Sequence, residues 1–145
     1  MKKNLLLSLL TVASLGLGSL NAFAHTDDML AAMKAPNGGQ LKMAGPFHLE
    51  LVVKPGVVQV YVTDHGDTKI ASQGGRGSVT LLSGGKKTVL KLNPAGGNLL
   101  QGKGNFKVAP EMKAVVSVMM PGQPAQQARF EPGKEDDHAG HDHAH

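Results

Sequence analysis

Two neighbouring segments of the chain alternate apolar and polar side chains with the two-residue period of a β-strand. In residues 47–53 the odd-numbered positions are apolar, while His48 and Glu50 point the other way. Residues 57–65 repeat the alternation with valines at even-numbered positions, and the reversal at 54–56 contains Pro and Gly. The pattern predicts an antiparallel hairpin with one face in a core and the face of His48 and Glu50 in solvent.

Similar short runs continue through the rest of the chain and are separated by stretches rich in Gly, Pro and Asn. Turn signals recur about every ten residues, and the pattern contains no helix between Pro36 and Pro132. The sequence therefore predicts an all-β protein, an antiparallel β-sandwich of about seven strands, with a small barrel as the other arrangement of this kind. The five further strands of this count are 78–82, 88–92, 98–106, 113–120 and 125–130, while 40–43 and 69–71 are shorter strand-like runs, a lead-in and a brief edge segment.

The N-terminal end has the features of a cleavable secretory signal peptide. Lys2 and Lys3 precede an apolar run over about 5–20. The small residues Ala22 and Ala24, on either side of Phe23, predict cleavage after Ala24. The leader predicts export to a bacterial periplasm. No second apolar run is long enough to span a membrane, so we expect no membrane span after cleavage.

The expected organisation of the chain has four parts. A signal peptide covers 1–24, and an N-terminal arm or short helix covers 25–35. The β-sandwich domain follows over 36–132. From Lys134 onward no apolar side chain is larger than Ala, which predicts a disordered His-rich tail over 133–145.

Composition excludes several classes of function. The chain has no cysteine, which excludes disulfides, thiolate metal sites and cysteine nucleophiles. Cleavage removes two of the fifteen basic residues and none of the eleven acidic ones, leaving a net charge of +2. That charge and the scarcity of aromatic residues argue against a nucleic-acid partner. No catalytic motif is present, so we expect a binding protein and not an enzyme.

The tail carries the strongest chemical signal in the sequence. Neutral imidazole is a preferred ligand of Cu(II), Zn(II) and Ni(II), and several histidines on one short segment can surround one ion. The alternatives are a tail that serves only solubility, or a purification tag. Four of the seven histidines lie there, interspersed with aspartates: His138, His141, His143 and His145.

Three further candidate ligand groups precede the tail. His48 and Glu50 share one strand face, and His65 ends the neighbouring strand, so a cross-strand partner would complete a site. The alternative is that His48 and Glu50 are ordinary exposed polar residues. After cleavage, His25 would be the first residue, and its free α-amine and a ring nitrogen could together chelate one copper ion. The alternative is that a histidine follows the cleavage site by coincidence.

Methionines form the last candidate group. Six remain after cleavage, and thioethers suit Cu(I) where thiolates are absent. Met29 and Met33, four residues apart, are the most plausible pair. The alternative is that the methionines fill gaps in the core.

Four motifs carry a resemblance to a known family. They are GPFHLELVV, VQVYVTDH, VTLLSGGKKTVLKLNPAG and KAVVSVMMPGQPAQQARF, within residues 36–130. This pattern resembles a small periplasmic β-domain of bacterial heavy-metal resistance systems, similar to the N-terminal region of adaptor subunits of heavy-metal RND efflux pumps. The resemblance implies a β-sandwich and a role in handling copper, zinc, cobalt or nickel in the cell envelope.

The resemblance also points to particular positions. Its aromatic-His-x-Glu element falls on Phe47, His48 and Glu50. Where relatives are expected to have His-Gly-Gly, this chain has Asn37-Gly38-Gly39, which removes one candidate ligand from the domain and favours the tail as the metal-binding segment.

The leading expectation is a periplasmic accessory protein that buffers a transition metal or delivers it to an efflux adaptor. The alternative is an envelope interaction module, in which an edge strand such as 125–130 docks on the adaptor and metal binding is incidental. A copper redox enzyme built on His25 is the third possibility.

Overall fold

The computed structural model describes residues 27–31 and 33–134. The predicted signal peptide, His25 and the four tail histidines lie outside these residues. The described part of the chain contains a five-residue helix and eight strands. The elements are α1 (Asp27–Ala31), β1 (Gln40–Ala44), β2 (Phe47–Lys54), β3 (Val57–Asp64), β4 (Arg76–Ser83), β5 (Lys86–Pro94), β6 (Leu99–Lys103), β7 (Lys113–Met119) and β8 (Gln126–Phe130).

The eight strands form one antiparallel sheet in the order β1-β2-β3-β6-β5-β4-β7-β8. This confirms the predicted all-β antiparallel class. The sheet curls into a nearly closed barrel, with β1 and β8 at its two edges. The side chain of Gln40 joins these edges, since its Nε2 donates to the Glu131 carbonyl at 2.9 Å and its Oε1 accepts from the Glu131 amide at 3.3 Å.

Strand β5 explains how two facing layers become one curled sheet. Its residues 86–92 pair with β4, while Asn93 and Pro94 pair with Gln101 and Leu100 of β6. The two halves face each other across the core as the layers of a sandwich do. Because β5 bends from one half into the other, hydrogen bonding is continuous around that side, and the right-handed twist of strands favours such curling.

The core lies between the two halves and is built from the alternate, inward-facing residues of the strands. Its side chains are almost wholly buried, and each contributes about 1.5–3 kcal/mol by leaving water. Core members with no exposed surface are Leu49, Val58, Val60, Val62, Val79, Leu92, Leu100, Val116 and Val118.

The predicted hairpin is present as β2 and β3. Its register runs from Phe47 opposite Asp64 to Lys54 opposite Val57. Gly56 closes the turn with φ of 79°, a conformation that glycine adopts without a steric penalty.

One expectation about this hairpin is wrong. The second face of β2 is not in solvent, because His48 is 1% exposed and Glu50 is 3% exposed. The turn after β3 lies against His48, and the segment 37–39 lies against Glu50. Periodicity within one strand gave no sign of this second layer, because the covering segments come from elsewhere in the chain.

The helix α1 is short and packs against β1, with Leu30 wholly buried. Among the residues that the structure describes, no helix has both the length and the apolar character needed to cross a membrane.

Candidate functional site

The turn after β3 is held by a dense set of hydrogen bonds. The Asp64 carboxylate accepts N–H groups from Gly66 at 2.8 Å and Thr68 at 2.9 Å. In the backbone, the Asp64 amide donates to the Thr68 carbonyl at 2.9 Å and the Asp67 amide donates to the Asp64 carbonyl at 3.1 Å. This is the geometry of a three-residue hairpin loop whose last residue is left-handed. Asp67 occupies that position, with φ of 62°.

The same hydrogen bonds favour the charged form of Asp64. The amide of Thr68 is the largest influence that lowers the pKa of the Asp64 carboxyl below its usual 3.8, and the Gly66 amide and the nearby His65 act in the same direction. The turn therefore carries a carboxylate at every pH near neutrality, and the conformation of residues 65–67 depends on it.

The turn brings two histidines together at one end of the hairpin. The rings of His48 and His65 meet edge to face, with centroids 4.7 Å apart and planes 72° apart. His48 is buried on β2, whereas His65 is exposed on the turn. His65, at the end of the neighbouring strand, therefore lies against His48 in the fold, and a metal at this pair stays a prediction.

Asp67 adds a negative charge to this pair. One carboxylate oxygen lies 3.7 Å from Nδ1 of His48, too far for a hydrogen bond but close enough for an ion pair when the ring is protonated. The carboxylate itself is 66% exposed. His48, His65 and Asp67 are hereafter called the histidine cluster.

The hydrogen bond of His65 determines which of its nitrogens can bind a metal. Its Nε2 lies 3.0 Å from the carbonyl oxygen of Gly45. A carbonyl oxygen only accepts hydrogen bonds, so Nε2 must carry the proton. In the neutral ring, the Nδ1 lone pair of His65 is therefore the one that can coordinate an ion.

The strand register places two more side chains on the face of His48. Met43 of β1 and Thr63 of β3 are its direct cross-strand partners. Met43 is half-buried. The face therefore combines imidazole nitrogen with a thioether sulfur, donors that suit copper in both oxidation states.

Glu50, although on the same face as His48, serves a different purpose. Its Oε2 accepts the amide N–H groups of Asn37 and Gly39, each at 2.9 Å, and its Oε1 accepts the Asn37 side-chain Nδ2 at 2.9 Å. Both oxygens are engaged, so the carboxylate anchors the segment 37–39 to β2. Gly39 is required there, since a Cβ would stand 2.2 Å from the carbonyl oxygen of Leu51.

Position 37 is where the family resemblance led us to expect histidine. The structure places Asn37 directly on Glu50. A residue at this position thus contacts the buried carboxylate, and here an amide occupies it.

Asp67 is the member of the cluster that the sequence pattern did not predict. The available signal was an Asp at the last position of a D-H-G-D turn, where glycine is the usual residue. His48 lies 19 residues before Asp67 in the chain, and the turn sequence alone does not indicate that the two side chains lie close together.

The methionines are divided between core and surface. Met112 and Met120 are 2% exposed and belong to the core, as the gap-filling alternative expects. Met29 and Met33 are exposed, and their pairing at a metal stays a prediction. Within residues 27–31 and 33–134, no group of three or more His, Cys, Asp or Glu side chains has a spacing that could hold a metal ion.

Comparison of the chain with protein-family models, with curated proteins and with solved structures finds no match in any of the three.

Proposed function

We propose that this chain is a periplasmic accessory protein that binds a transition metal, copper or zinc above all, with cobalt and nickel as further candidates. It would buffer the ion or deliver it to an efflux adaptor. The His-rich tail supplies most of the ligands, and the histidine cluster supplies a second, smaller site on the barrel.

One observation in the folded domain carries this proposal. Two histidines, 17 residues apart in sequence, have their rings 4.7 Å apart, and the only lone pair that His65 offers is on Nδ1. Imidazoles are the common ligands of copper and zinc in sites that lack cysteine. The burial of His48 and the hydrogen bond of His65 hold both rings in place before an ion arrives, which reduces the entropy lost on binding.

Two imidazoles alone make an incomplete site, which fits a protein that passes its ion on. The remaining positions of the ion would be filled by water or by a histidine of the tail. We therefore expect modest affinity and exchange between the two sites, as a buffer or carrier requires.

Calorimetric titration of the full chain with Cu(II), Zn(II), Ni(II), and Cu(I) under reductant tests the proposal. Deleting Glu135–His145 should remove most bound equivalents and leave the barrel folded. In that shortened chain, His65→Ala should remove the remaining equivalent, while Gln73→Ala, an exposed turn residue, should leave it. Affinity and stoichiometry that survive both changes would rule out the tail and the cluster together.

The second candidate is an envelope interaction module. Strand β8 lies at the sheet edge, where its outer backbone groups are available for strand addition by a partner. Binding of the metal-free protein to a purified RND efflux adaptor, at an affinity that added metal does not change, would favour this candidate over the first.

A further inference from the structure

The gap between the two edge strands forms a groove of about 590 Å³. We call it the seam groove. Leu41 of β1 and Phe130 of β8 lie on its two sides, and Leu30 and Met33 border it from the N-terminal segment. It lies between β1 and β8, the two edge strands, which are not paired with each other.

The seam groove is lined by an excess of positive charge. Lys42, Lys113, Arg129 and Lys134 line it, against one acidic residue, Glu131. The positive charge around the groove acts on Glu131. Lys134 lowers the pKa of the Glu131 carboxyl most, and Lys113 and Lys42 lower it further. Lys134 is already paired with Glu131, so three cations face the groove without a close acidic partner among the described residues.

The chain leaves the barrel at this groove along a fixed path. The side-chain Nε2 of Gln40, on β1, donates hydrogen bonds to the carbonyl oxygens of Glu131 at 2.9 Å and Lys134 at 3.4 Å. Gly133 fits so closely that a Cβ would stand 2.0 Å from the carbonyl oxygen of Ala109. Lys134 therefore stands on the groove wall, and the next residue must begin there.

The residues that come next have the complementary charge. Glu135, Asp136 and Asp137 follow Lys134 directly, whereas only one further acid, Asp142, occurs before the end of the chain. Three extended residues span about 10 Å, enough to cross between two facing strands. From the groove chemistry and this position, we propose that Glu135–Asp137 docks in the seam groove of its own barrel, on Lys42, Lys113 and Arg129.

The covalent link favours this occupant over any free acidic peptide. A segment tethered at the rim of its own site has an effective concentration in the millimolar range. Docking would cover the open edges of β1 and β8 and shield them from strand addition. It would also start the His-rich part of the tail, from His138, at a fixed place on the barrel. The proposal does not depend on metal binding.

The test compares backbone amide NMR spectra of the full, metal-free chain with those of a variant carrying Glu135→Gln, Asp136→Asn and Asp137→Asn. We expect amide shifts at Lys42, Lys113 and Arg129, and none around the distant turn at Gly56. Asp142→Asn is the matched control and should leave the groove amides in place. The described core is built from residues 30–130, so a variant changed only at 135–137 should fold as the parent does.

The reciprocal change is Lys42→Gln with Arg129→Gln in the full chain. It should shift the amides of 135–137, and 0.5 M NaCl should have the same effect in the parent, since the Debye length then falls to about 4 Å. Groove amides that are identical in parent and tail variant would overturn the proposal. Shifts that grow with protein concentration, together with a sedimenting dimer, would also overturn it, because the groove would then bind the tail of a second copy.

Discussion

At the scale of single residues, the most informative side chain is Asp67. It combines a backbone conformation that glycine prefers with a carboxylate that lies 3.7 Å from the buried His48. Aspartate and asparagine enter the left-handed region more readily than other non-glycine residues, and a residue held there is a candidate for a functional role. In Asp67 that role would be to place a carboxylate within the histidine cluster.

Substitutions at Asp67 should separate its backbone role from its side-chain role. Asp67→Ala should lower the free energy of unfolding by about 1 kcal/mol, because Ala tolerates the left-handed region poorly. Asp67→Gly and Asp67→Asn should keep or raise stability, since both residues adopt this conformation readily. Urea denaturation measures the series. An Ala variant as stable as the Gly variant would show that the turn has relaxed to another conformation.

The stability of the turn at 64–68 should depend on pH through the Asp64 carboxylate. Its pKa is lowered in the folded state, so its stabilising contribution is fully present above the ordinary value of 3.8 and is lost as the pH falls through the lower folded value. We expect the amides of Gly66 and Thr68 to lose protection below about pH 4. NMR between pH 6 and 2.5 measures this, and Asp64→Asn should lack the transition. A turn whose amides do not respond in the parent would contradict the assigned hydrogen bonds.

At the scale of elements, the hairpin of β2 and β3 shows how a strand acquires a second buried face. Its alternation correctly indicated the core face, because Leu49 and Leu51 are apolar and point inward. The other face is covered by two segments from outside the hairpin, each attached to a polar residue. The turn after β3 lies on His48, and the segment 37–39 lies on Glu50.

Glu50 should therefore matter for stability more than a strand-surface residue usually does. Glu50→Ala leaves the amides of Asn37 and Gly39 without their acceptor in a partly buried place, which should cost about 2–3 kcal/mol. Hydrogen exchange at 37–39 should accelerate together with the loss in unfolding free energy. Asn37→Ala, which removes only the side-chain donor, is the control and should cost about 1 kcal/mol. Equal losses for both variants would argue against the anchoring role.

At the scale of the whole molecule, the decisive feature is that the sheet curls until β1 and β8 nearly meet without pairing. Side-chain hydrogen bonds of Gln40 take the place of a strand ladder at this seam. The resulting gap creates the seam groove and leaves two edges exposed, a condition that proteins commonly relieve by covering the edge.

Removing the seam contact should loosen the edges selectively. Gln40→Ala should cost about 1–2 kcal/mol of stability through the lost hydrogen bonds and should raise hydrogen exchange in β1 and β8. Gln59→Ala removes a comparable side-chain hydrogen bond, to Gln101 within the paired part of the sheet, and serves as the control. If exchange in β1 and β8 rises equally in both variants, the seam is not held by Gln40.

The sequence by itself determined the all-β class, the approximate positions of most strands and the hairpin at 47–64. These are local properties, since two-residue periodicity and turn residues act over a few positions. The same short-range patterns identified His48, Glu50 and His65 as candidates. They also led to the wrong expectation that His48 and Glu50 face solvent.

Only the tertiary structure decided which polar residues meet. It placed His65 and Asp67 against His48, tied Glu50 to Asn37, and set three cations around the groove where the chain leaves the barrel. It also decided that the sheet bends through β5 into a nearly closed barrel. Each of these contacts joins segments far apart in the chain or depends on how the whole sheet twists, and no short-range pattern in one sequence encodes them.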